Sequence, residues 1–495
     1  MTHSSTIDHH VGISQGFHDA GAAVVSSDGK IVFAGHSERY SKNKNDPQLD
    51  CALMNEVRRS ALGNIKINYY ERSWLTNLRR FWTGQKLHNK VGLRASLKYA
   101  MLPIEHKSWG HHLSHAATAF QTSPFDSSAV IIVDAIGEWD TASIWRAWYD
   151  DQGRAQYKKL WSQKYPHSIG LFYSAMTKRV GLKPMEDEYI LMGMAAYGDK
   201  SRVAKAMYDE FIVDVRGGKF KQNLHLGCDD WRPDLSNENI AASTQWLTEQ
   251  MLLDISDRAK KLTNETNLCY GGGVALNCSF NKHLPWYWNA VWIPPNPGDC
   301  GSALGAAALG YGKRLDWRGA FLGHNIRGNL DVDWVVDELI STGIVGVANG
   351  PAEWGPRALG NRSLLADPRR EGIRDRVNDI KQRQRYRPFA PAVLEEHARE
   401  HFDLRDGACY RYMQYAVHTK DGFAFPAVRH IDGTARVQTV PEGNSNMRKL
   451  LEVWYAKTGC PMLMNTSLNI KGQPMVNDAN DAYRFQNMYG VKVAT

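Results

Sequence analysis

Paired cysteines are missing from this 495-residue chain. Its seven cysteines are scattered, and no two stand as CxxC. That spacing excludes a disulfide framework and reads as buried thiols of a reduced, cytoplasmic compartment. Apolar runs of membrane-spanning length are also lacking, the Ala/Gly-rich Gly301–Gly312 being too short and too small in its side chains. Met1–His10 is polar and rich in Ser and His, without the apolar core of a secretory leader. No membrane partner is therefore expected. The charged fraction of 23% and the apolar fraction of 43% are those of an ordinary globular enzyme. The length exceeds what one core fills and predicts two domains. A net charge of +8 admits a polyanionic partner without requiring one.

What is present begins with WGHHLSHAATAF at Trp109–Phe120, followed by AVIIVD at Ala129–Asp134. His111 and His115 are spaced i,i+4, which on a helix puts both imidazoles on one face. The β-branched run predicts a buried strand delivering Asp134 at its end. Two His and one Asp suit a metal with positions left open for substrate; structurally hydrogen-bonded histidines are the alternative. PGDCGSALG at Pro297–Gly305 places Asp299 on a tight loop before a helix, the candidate fourth ligand. LCYGGGVALN at Leu268–Asn277 reads as a strand, three glycines and a helix start, a backbone surface able to lie against a nucleoside.

Two hairpins are expected. In Val11–Arg39 two β-type runs flank Ser-Ser-Asp-Gly, with His18 and Asp19 in a small polar loop. In the second, AIGEWD at Ala135–Asp140 turns one strand into Thr141–Trp148. A hairpin with an acidic residue beside its turn in each half suggests a duplicated domain of the actin-like ATPase type. Between them, Ile65–Lys107 interleaves Lys66, Arg72, Arg79, Arg80, Lys86, Lys90, Arg94, Lys98 and Lys107 with Tyr69, Tyr70, Trp74, Phe81 and Trp82. Such a segment tracks a phosphate backbone and stacks on bases, or forms amphipathic helices with a solvated charged face. Glu186, Asp187 and Glu188 precede a small-residue run and read either as a substrate or metal-water contact or as a helix-dipole cluster.

Polar turns at Gly323–Asp333 mark a boundary, set at residues 1–325 and 326–495. Beyond it lie GPRALGNRSLLAD, IKQRQRYRPFAP, HIDGTARVQTV and MNTSLN. Arginines beside Gly and Pro turns are good anion receptors, and several clusters in one smaller domain argue for a phosphate-bearing small molecule.

The ordered set HHLSHA, GEW, MG–x–A–x–YG, GGGVALN, GPRALGNRS, RPFAP, DGTARVQ and NTSLN resembles, over essentially the whole chain, the O-carbamoyltransferases typified by NodU and TobZ. The resemblance implies an α/β chain. Its N-terminal domain would be TsaD-like, an actin-like ATPase with duplicated RNase H-like halves, and its C-terminal domain a YrdC-like α/β fold. The C-terminal domain would convert carbamoyl phosphate and Mg-ATP into carbamoyl adenylate; the N-terminal domain would transfer the carbamoyl group to an acceptor hydroxyl. An adenylate of this kind hydrolyses in water, so two enclosed sites on one chain suit it. The metal, a divalent iron, zinc or manganese, would sit on His111, His115, Asp134 and Asp299. Gly272 and Asn277 would hold the adenosine, and His18 and Asp19 would face the acceptor, His18 assisting deprotonation. Arg357, Lys381, Arg387 and Arg436 match the anion-binding set; Asn465 and Ser467 match the NTS element.

Two positions depart from the family pattern: Pro351 replaces an Arg and Ile190 replaces a Lys, the latter bearing on acceptor contacts. The basic, aromatic segment tilts the expected acceptor toward the hydroxymethyl group of 5-hydroxymethylcytosine in DNA, with a natural-product or sugar hydroxyl as alternative. An actin-like ATPase or kinase, or a silent nucleotide-binding module, leaves the arginine clusters or the His/Asp set unexplained. A homodimer is compatible with the family, as is the host cytoplasm for a viral chain.

Overall fold

The computed structural model describes residues 8–85 and 91–495, so Lys86 and Lys90 of the basic segment lie outside it. The chain divides into a first unit, Met1–Ser41 with Asn45–Arg318, and a second, Lys42–Lys44 with Gly319–Thr495. The break falls ahead of the expected 325/326. Phe321–Ile326 is a strand, not a linker, and pairs with Gly350–Glu353.

The first unit carries the same sheet twice. Strands β1 (Asp8–Ser14), β2 (Gly21–Ser26), β3 (Ile31–His36), β4 (Asn64–Tyr69) and β5 (His106–Ser108) lie in the order β3-β2-β1-β4-β5. In the second half come β6 (Ser127–Gly137), β7 (Asp140–Tyr149) and β8 (Ala155–Lys164). The ribbon β9 (Ile212–Asp214) and β10 (Lys219–Phe220) stands apart, and β11 (Asn267–Gly271) and β12 (Ala290–Trp292) complete a sheet ordered β12-β11-β6-β7-β8. In each, three antiparallel strands are extended by two parallel ones. This repeat is the duplicated RNase H-like architecture of actin-like ATPases, so both expected hairpins belong to three-stranded meanders. Central strands β1 and β6 are buried over most of their length, as strands covered on both faces must be.

Two helices fill the space between the sheets. His111–Gln121 follows β5 of the first sheet yet packs on β6 and β11 of the second. Ser302–Tyr311 follows β12 of the second yet packs on β1, β2 and β4 of the first. The pair also packs on each other, and small residues make this contact possible. A Cβ at Gly305 would stand 1.9 Å from the Ser114 carbonyl oxygen. Because the crossover exchanges partners, residues from both halves meet at one point between the sheets.

The second unit is a mixed α/β fold. Strands β13 (Phe321–Ile326), β14 (Ile344–Ala348), β15 (Gly350–Glu353), β16 (Arg362–Ala366), β17 (Ala390–Leu394), β18 (Ala416–His418), β19 (Thr434–Arg436), β20 (Gln438–Val440), β21 (Met462–Ser467) and β22 (Val493–Ala494) include a six-stranded sheet ordered β20-β17-β21-β16-β14-β22. Among the described residues no helix is long and apolar enough to cross a membrane.

Candidate metal centre and anion site

The crossing of the two helices brings together the residues that chain order keeps apart. His111 opens its helix and His115 lies one turn on, both fully buried. Asp134 stands where β6 leaves the core, and Asp299 begins the short turn before Ser302–Tyr311. His115 Nε2 is 3.2 Å from Asp134 Oδ2, 3.2 Å from Asp299 Oδ1 and 3.1 Å from His111 Nε2. His111 Nε2 is 3.2 Å from Asp134 Oδ2 and 3.3 Å from Asp299 Oδ1.

These separations test the metal reading. Ligand atoms about 2.1 Å from one ion in tetrahedral array stand roughly 3.4 Å apart, and cis octahedral ligands about 3.0 Å. Two ring nitrogens and two carboxylate oxygens converging without solvent call for positive charge among them, from a bound cation or from protonated imidazoles. The four residues therefore fit a divalent metal. Neighbours fix their orientation. His115 Nδ1 bonds the Pro297 carbonyl at 3.0 Å, which leaves Nε2 as the lone-pair nitrogen. Asp134 uses Oδ1 on the Ala135 N–H at 2.8 Å, leaving Oδ2 for the cluster.

The two carboxylates draw positive charge to this point. Burial opposes charge on His111, but Asp299, Asp134 and Glu71 outweigh it and hold the imidazole well above its ordinary value. Burial likewise opposes ionisation of Asp134, and bonds to His111 and His115 overcome it, holding the carboxyl well below the usual range. His112, between the two candidate ligands, turns instead to Ser143 Oγ at 2.7 Å. Burial, followed by His111 and His115, pushes it down, so it is a neutral structural histidine.

His18 and Asp19 lie beside this centre on the β1–β2 loop. His18 Nδ1 is 3.0 Å from Asp19 Oδ2, and its Nε2 is 3.8 Å from Asp299 Oδ2. Burial opposes its charge, yet the bond to Asp19 and the charge of Asp299 push it up to about 9. Gly272 turns out of β11 at φ +88°, where a Cβ would stand 2.2 Å from the Val133 oxygen, so only glycine fits. Asn277 is committed internally: it exchanges amide bonds with Gln245 at 3.0 Å each way and accepts the Phe280 N–H. The acidic trio is also committed. Lys183 Nζ pairs with Glu186, the Lys183 N–H bonds Asp187, and Ser174 Oγ and the Met185 N–H bond Glu188.

The second unit gathers the other candidates. Lys381 is buried and its ammonium donates to the Ser467 carbonyl, to Asn469 O at 2.8 Å and to Asn469 Oδ1 at 2.9 Å, with Ser467 Oγ at 3.3 Å. Burial, then the charges of Arg383 and Arg387, push it well below the ordinary amine value. Asn465 Nδ2 donates to Gln438 Oε1 at 2.7 Å and to the carbonyl of Ala358, the residue after Arg357. Half-buried Arg436 ends β19 two residues before Gln438.

Four residues at these sites were not singled out by the sequence. Glu71 is buried, with Oε2 3.8 Å from His111 Nδ1. Arg79 is buried on the inner face of Ser73–Trp82. Glu353 Oε1 accepts the backbone N–H of Leu359, Asn361 and Arg362, holding the GPRALGNR loop. Fully buried Arg362 donates to the carbonyls of His324, Gly350, Asn361 and Asn477. The available signal for Arg79 was the polar stripe Ser73, Thr76, Arg79 at helical spacing.

The fold and the His/Asp centre define an actin-like-fold enzyme. Residues 68–308 match the model of the carbamoyltransferase N-terminus, and residues 336–494 that of the carbamoyltransferase C-terminus. The uncharacterized protein sll1178 of Synechocystis sp. is 32% identical, over 96% of this chain and 94% of its own length. The nodulation protein NolNO of Sinorhizobium fredii is 31% identical over 94% of this chain and 76% of its own. The 3'-hydroxymethylcephem-O-carbamoyltransferase of Amycolatopsis lactamdurans is 28% identical over 96% of this chain and 95% of its own. This chain belongs to the carbamoyltransferase family and is a carbamoyl-transferring enzyme.

Proposed function

We propose that the chain carries out ATP-dependent O-carbamoylation through carbamoyl adenylate. In the second unit, water would cleave carbamoyl phosphate to carbamate and phosphate. A carbamate oxygen would then attack the α-phosphorus of ATP and displace pyrophosphate. Arg357, Arg387 and Arg436 would receive the phosphate oxygens, and Lys381, poor in carboxylate partners, would give its charge to them. Asn465 and Ser467 would line the same site.

In the first unit, the Gly272–Asn277 turn would receive the nucleoside, with Asn277 shaping it through Gln245. A metal held by His111, His115, Asp134 and Asp299 would supply Lewis-acid polarisation and a template. His18, oriented by Asp19, would take the acceptor proton as the hydroxyl attacks the carbamoyl carbon and AMP leaves, once a cation on Asp299 offsets the carboxylate charge that otherwise keeps the imidazole protonated. The observation carrying this reading is the convergence of the four ligand atoms within 4.8 Å of one another, with Asp134, Asp299 and His18 lining one cavity. The named substrate of the Amycolatopsis relative is a small molecule bearing a hydroxymethyl group, and a small-molecule hydroxyl is the acceptor proposed here. A hydroxymethyl base in DNA is the second reading. It is favoured by Trp74, Phe81 and Trp82, exposed by 65%, 70% and 72% on the outer face of the helix whose inner face lines the cavity.

Incubation with ATP and carbamoyl phosphate tests the first half. Pyrophosphate formed only when both are present supports adenylate formation; ADP formation or no turnover rejects it. Mass spectrometry of candidate acceptors for an added carbamoyl group tests the second half. A steep loss of acceptor binding with salt favours DNA, and salt-insensitive turnover of a free alcohol favours the small molecule.

A further inference from the structure

The helix Ser73–Trp82 is inverted relative to an ordinary surface helix. Its outer face exposes Trp74, Leu78, Phe81 and Trp82, while its inner face buries Ser73, Thr76 and Arg79. Burying an arginine is costly unless its donors are matched. Arg79 is 3% exposed, and neither Nε nor Nη1 has a hydrogen-bond acceptor. No acidic side chain lies within ion-pair distance of its guanidinium among the described residues; the Tyr165 ring lies 5.6 Å from it. The cation lines the same cavity of about 390 Å³ that contains Asp134, Asp299 and His18.

Other lining groups continue the pattern. Arg80 lies over the Phe17 ring at 5.3 Å, and Gln85 Nε2 is 3.2 Å from His225 Nδ1. Burial pushes His225 down, and the charges of Arg79 and Arg80 push it further, which places the three within electrostatic reach of one another. Thr76 Oγ1, on this face, donates to Glu71 Oε2 at 3.2 Å, and Glu138 also lines the cavity. The cavity thus has a carboxylate-rich end at the metal centre and a cationic end at Arg79 and Arg80, with the uncharged form of His225 favoured beside them.

We propose that the acceptor is a small alcohol carrying an anionic group, a carboxylate or a phosphate monoester. The Arg79 guanidinium, whose Nε and Nη1 lack acceptors, receives that group while the hydroxyl faces His18. The assignment rests on the transferase reading above and names its substrate class. A buried guanidinium with unmatched donors suits either oxyanion. Arg79 and Arg80 disfavour a cationic group at that end of the cavity.

The test compares the full-length protein with Arg79→Met and Arg79→Lys, using benzoate, phenyl phosphate, benzyl alcohol and benzylamine as probes. Calorimetry with saturating ATP keeps the second unit's anion site filled. Benzoate or phenyl phosphate should bind the parent protein at least roughly tenfold more tightly than Arg79→Met, with Arg79→Lys between them and the neutral and cationic probes not binding. Which of the two anions binds tighter separates a carboxylate from a phosphate acceptor. Thermal unfolding without probe supplies the second readout. Removing an unmatched buried cation should leave Arg79→Met at least as stable as the parent, whereas a structural arginine would lose stability. Equal anion binding by parent and Arg79→Met, no anion binding by either, or a destabilised Arg79→Met each overturn the proposal. Pyrophosphate release in the same preparations reports the transferase reading separately.

Discussion

The carbonyl oxygen of Pro297 accepts from two sides, from the Gly272 N–H at 2.9 Å and from His115 Nδ1 at 3.0 Å. One oxygen therefore ties the glycine turn after β11 to the imidazole that reaches the metal centre, two residues before Asp299. This bond fixes the His115 tautomer, and only one ring nitrogen remains to meet Asp134 and Asp299. The parent protein should retain one divalent ion per chain after dialysis, measured by elemental analysis. His115→Ala should lose it, with transfer falling at least about 100-fold while pyrophosphate release is unchanged. Full metal content in His115→Ala would remove the site.

Glu71 acts through His111. Its Oε2 accepts from Thr76 and lies 3.8 Å from His111 Nδ1, beyond hydrogen-bond reach, so it acts on the imidazole through its charge. Glu71→Gln should weaken metal affinity by roughly 10–100-fold in a chelator competition. Thr76→Val, which removes only the bond that positions Glu71, should have a smaller effect. Equal affinity in the parent and Glu71→Gln would show that His111 needs no such support.

Backbone proximity makes a separate prediction at two glycines near the centre. A Cβ at Gly305 would stand 1.9 Å from the Ser114 oxygen, next to His115, whereas one at Gly298, next to Asp299, would meet nothing within 4 Å. Gly298 has φ −80°, open to any residue. Gly305→Ala should cost about 3 kcal/mol and loosen metal binding, because helix backbones must separate. Gly298→Ala should change stability by no more than about 0.5 kcal/mol. Denaturant titration of both variants distinguishes a packing requirement from mere adjacency to the site.

Much of this was legible because chemistry and periodicity coincide. The i,i+4 pair His111 and His115, the strand ending at Asp134 and the turn carrying Asp299 each follow from local sequence, and the fold joins them. The repeat of strand order was visible only as two hairpins, since β4, β5, β11 and β12 pair in parallel across long connections that leave no local signal. The early domain break reflects a short strand, β13, whose Gly-His-Asn centre reads as a turn. Arg79 was hidden by its own segment: it is one of nine basic residues there, and composition does not mark its burial. Arg362 and Glu353 were equally hidden, because an arginine held by carbonyls and a carboxylate holding backbone N–H groups look on paper like ligand contacts. The acidic trio at Glu186–Glu188 satisfies local lysine, serine and backbone donors instead of a substrate.

Lys381 links the chemistry of the second unit to pH. Its ammonium is surrounded by carbonyl, amide and hydroxyl oxygens, with no carboxylate among its bonds. Burial, then Arg383 and Arg387, hold it well below the ordinary amine value of 10.5. In the unfolded chain the same amine keeps its proton up to that value. Between the lowered folded value and 10.5 the unfolded state binds more protons, so this group's contribution to stability rises with pH. Lys381→Met abolishes the contribution. The stability of the parent relative to Lys381→Met should therefore increase with pH across that window, at no more than about 1.4 kcal/mol per pH unit. The variant should also lose carbamoyl-phosphate-dependent pyrophosphate release by at least about 100-fold, because an anion-stabilising charge is gone. Denaturation midpoints of both proteins at several alkaline pH values measure the first effect. A difference that stays flat would mean that the oxygen cage keeps Lys381 fully charged, and the expected slope would be wrong.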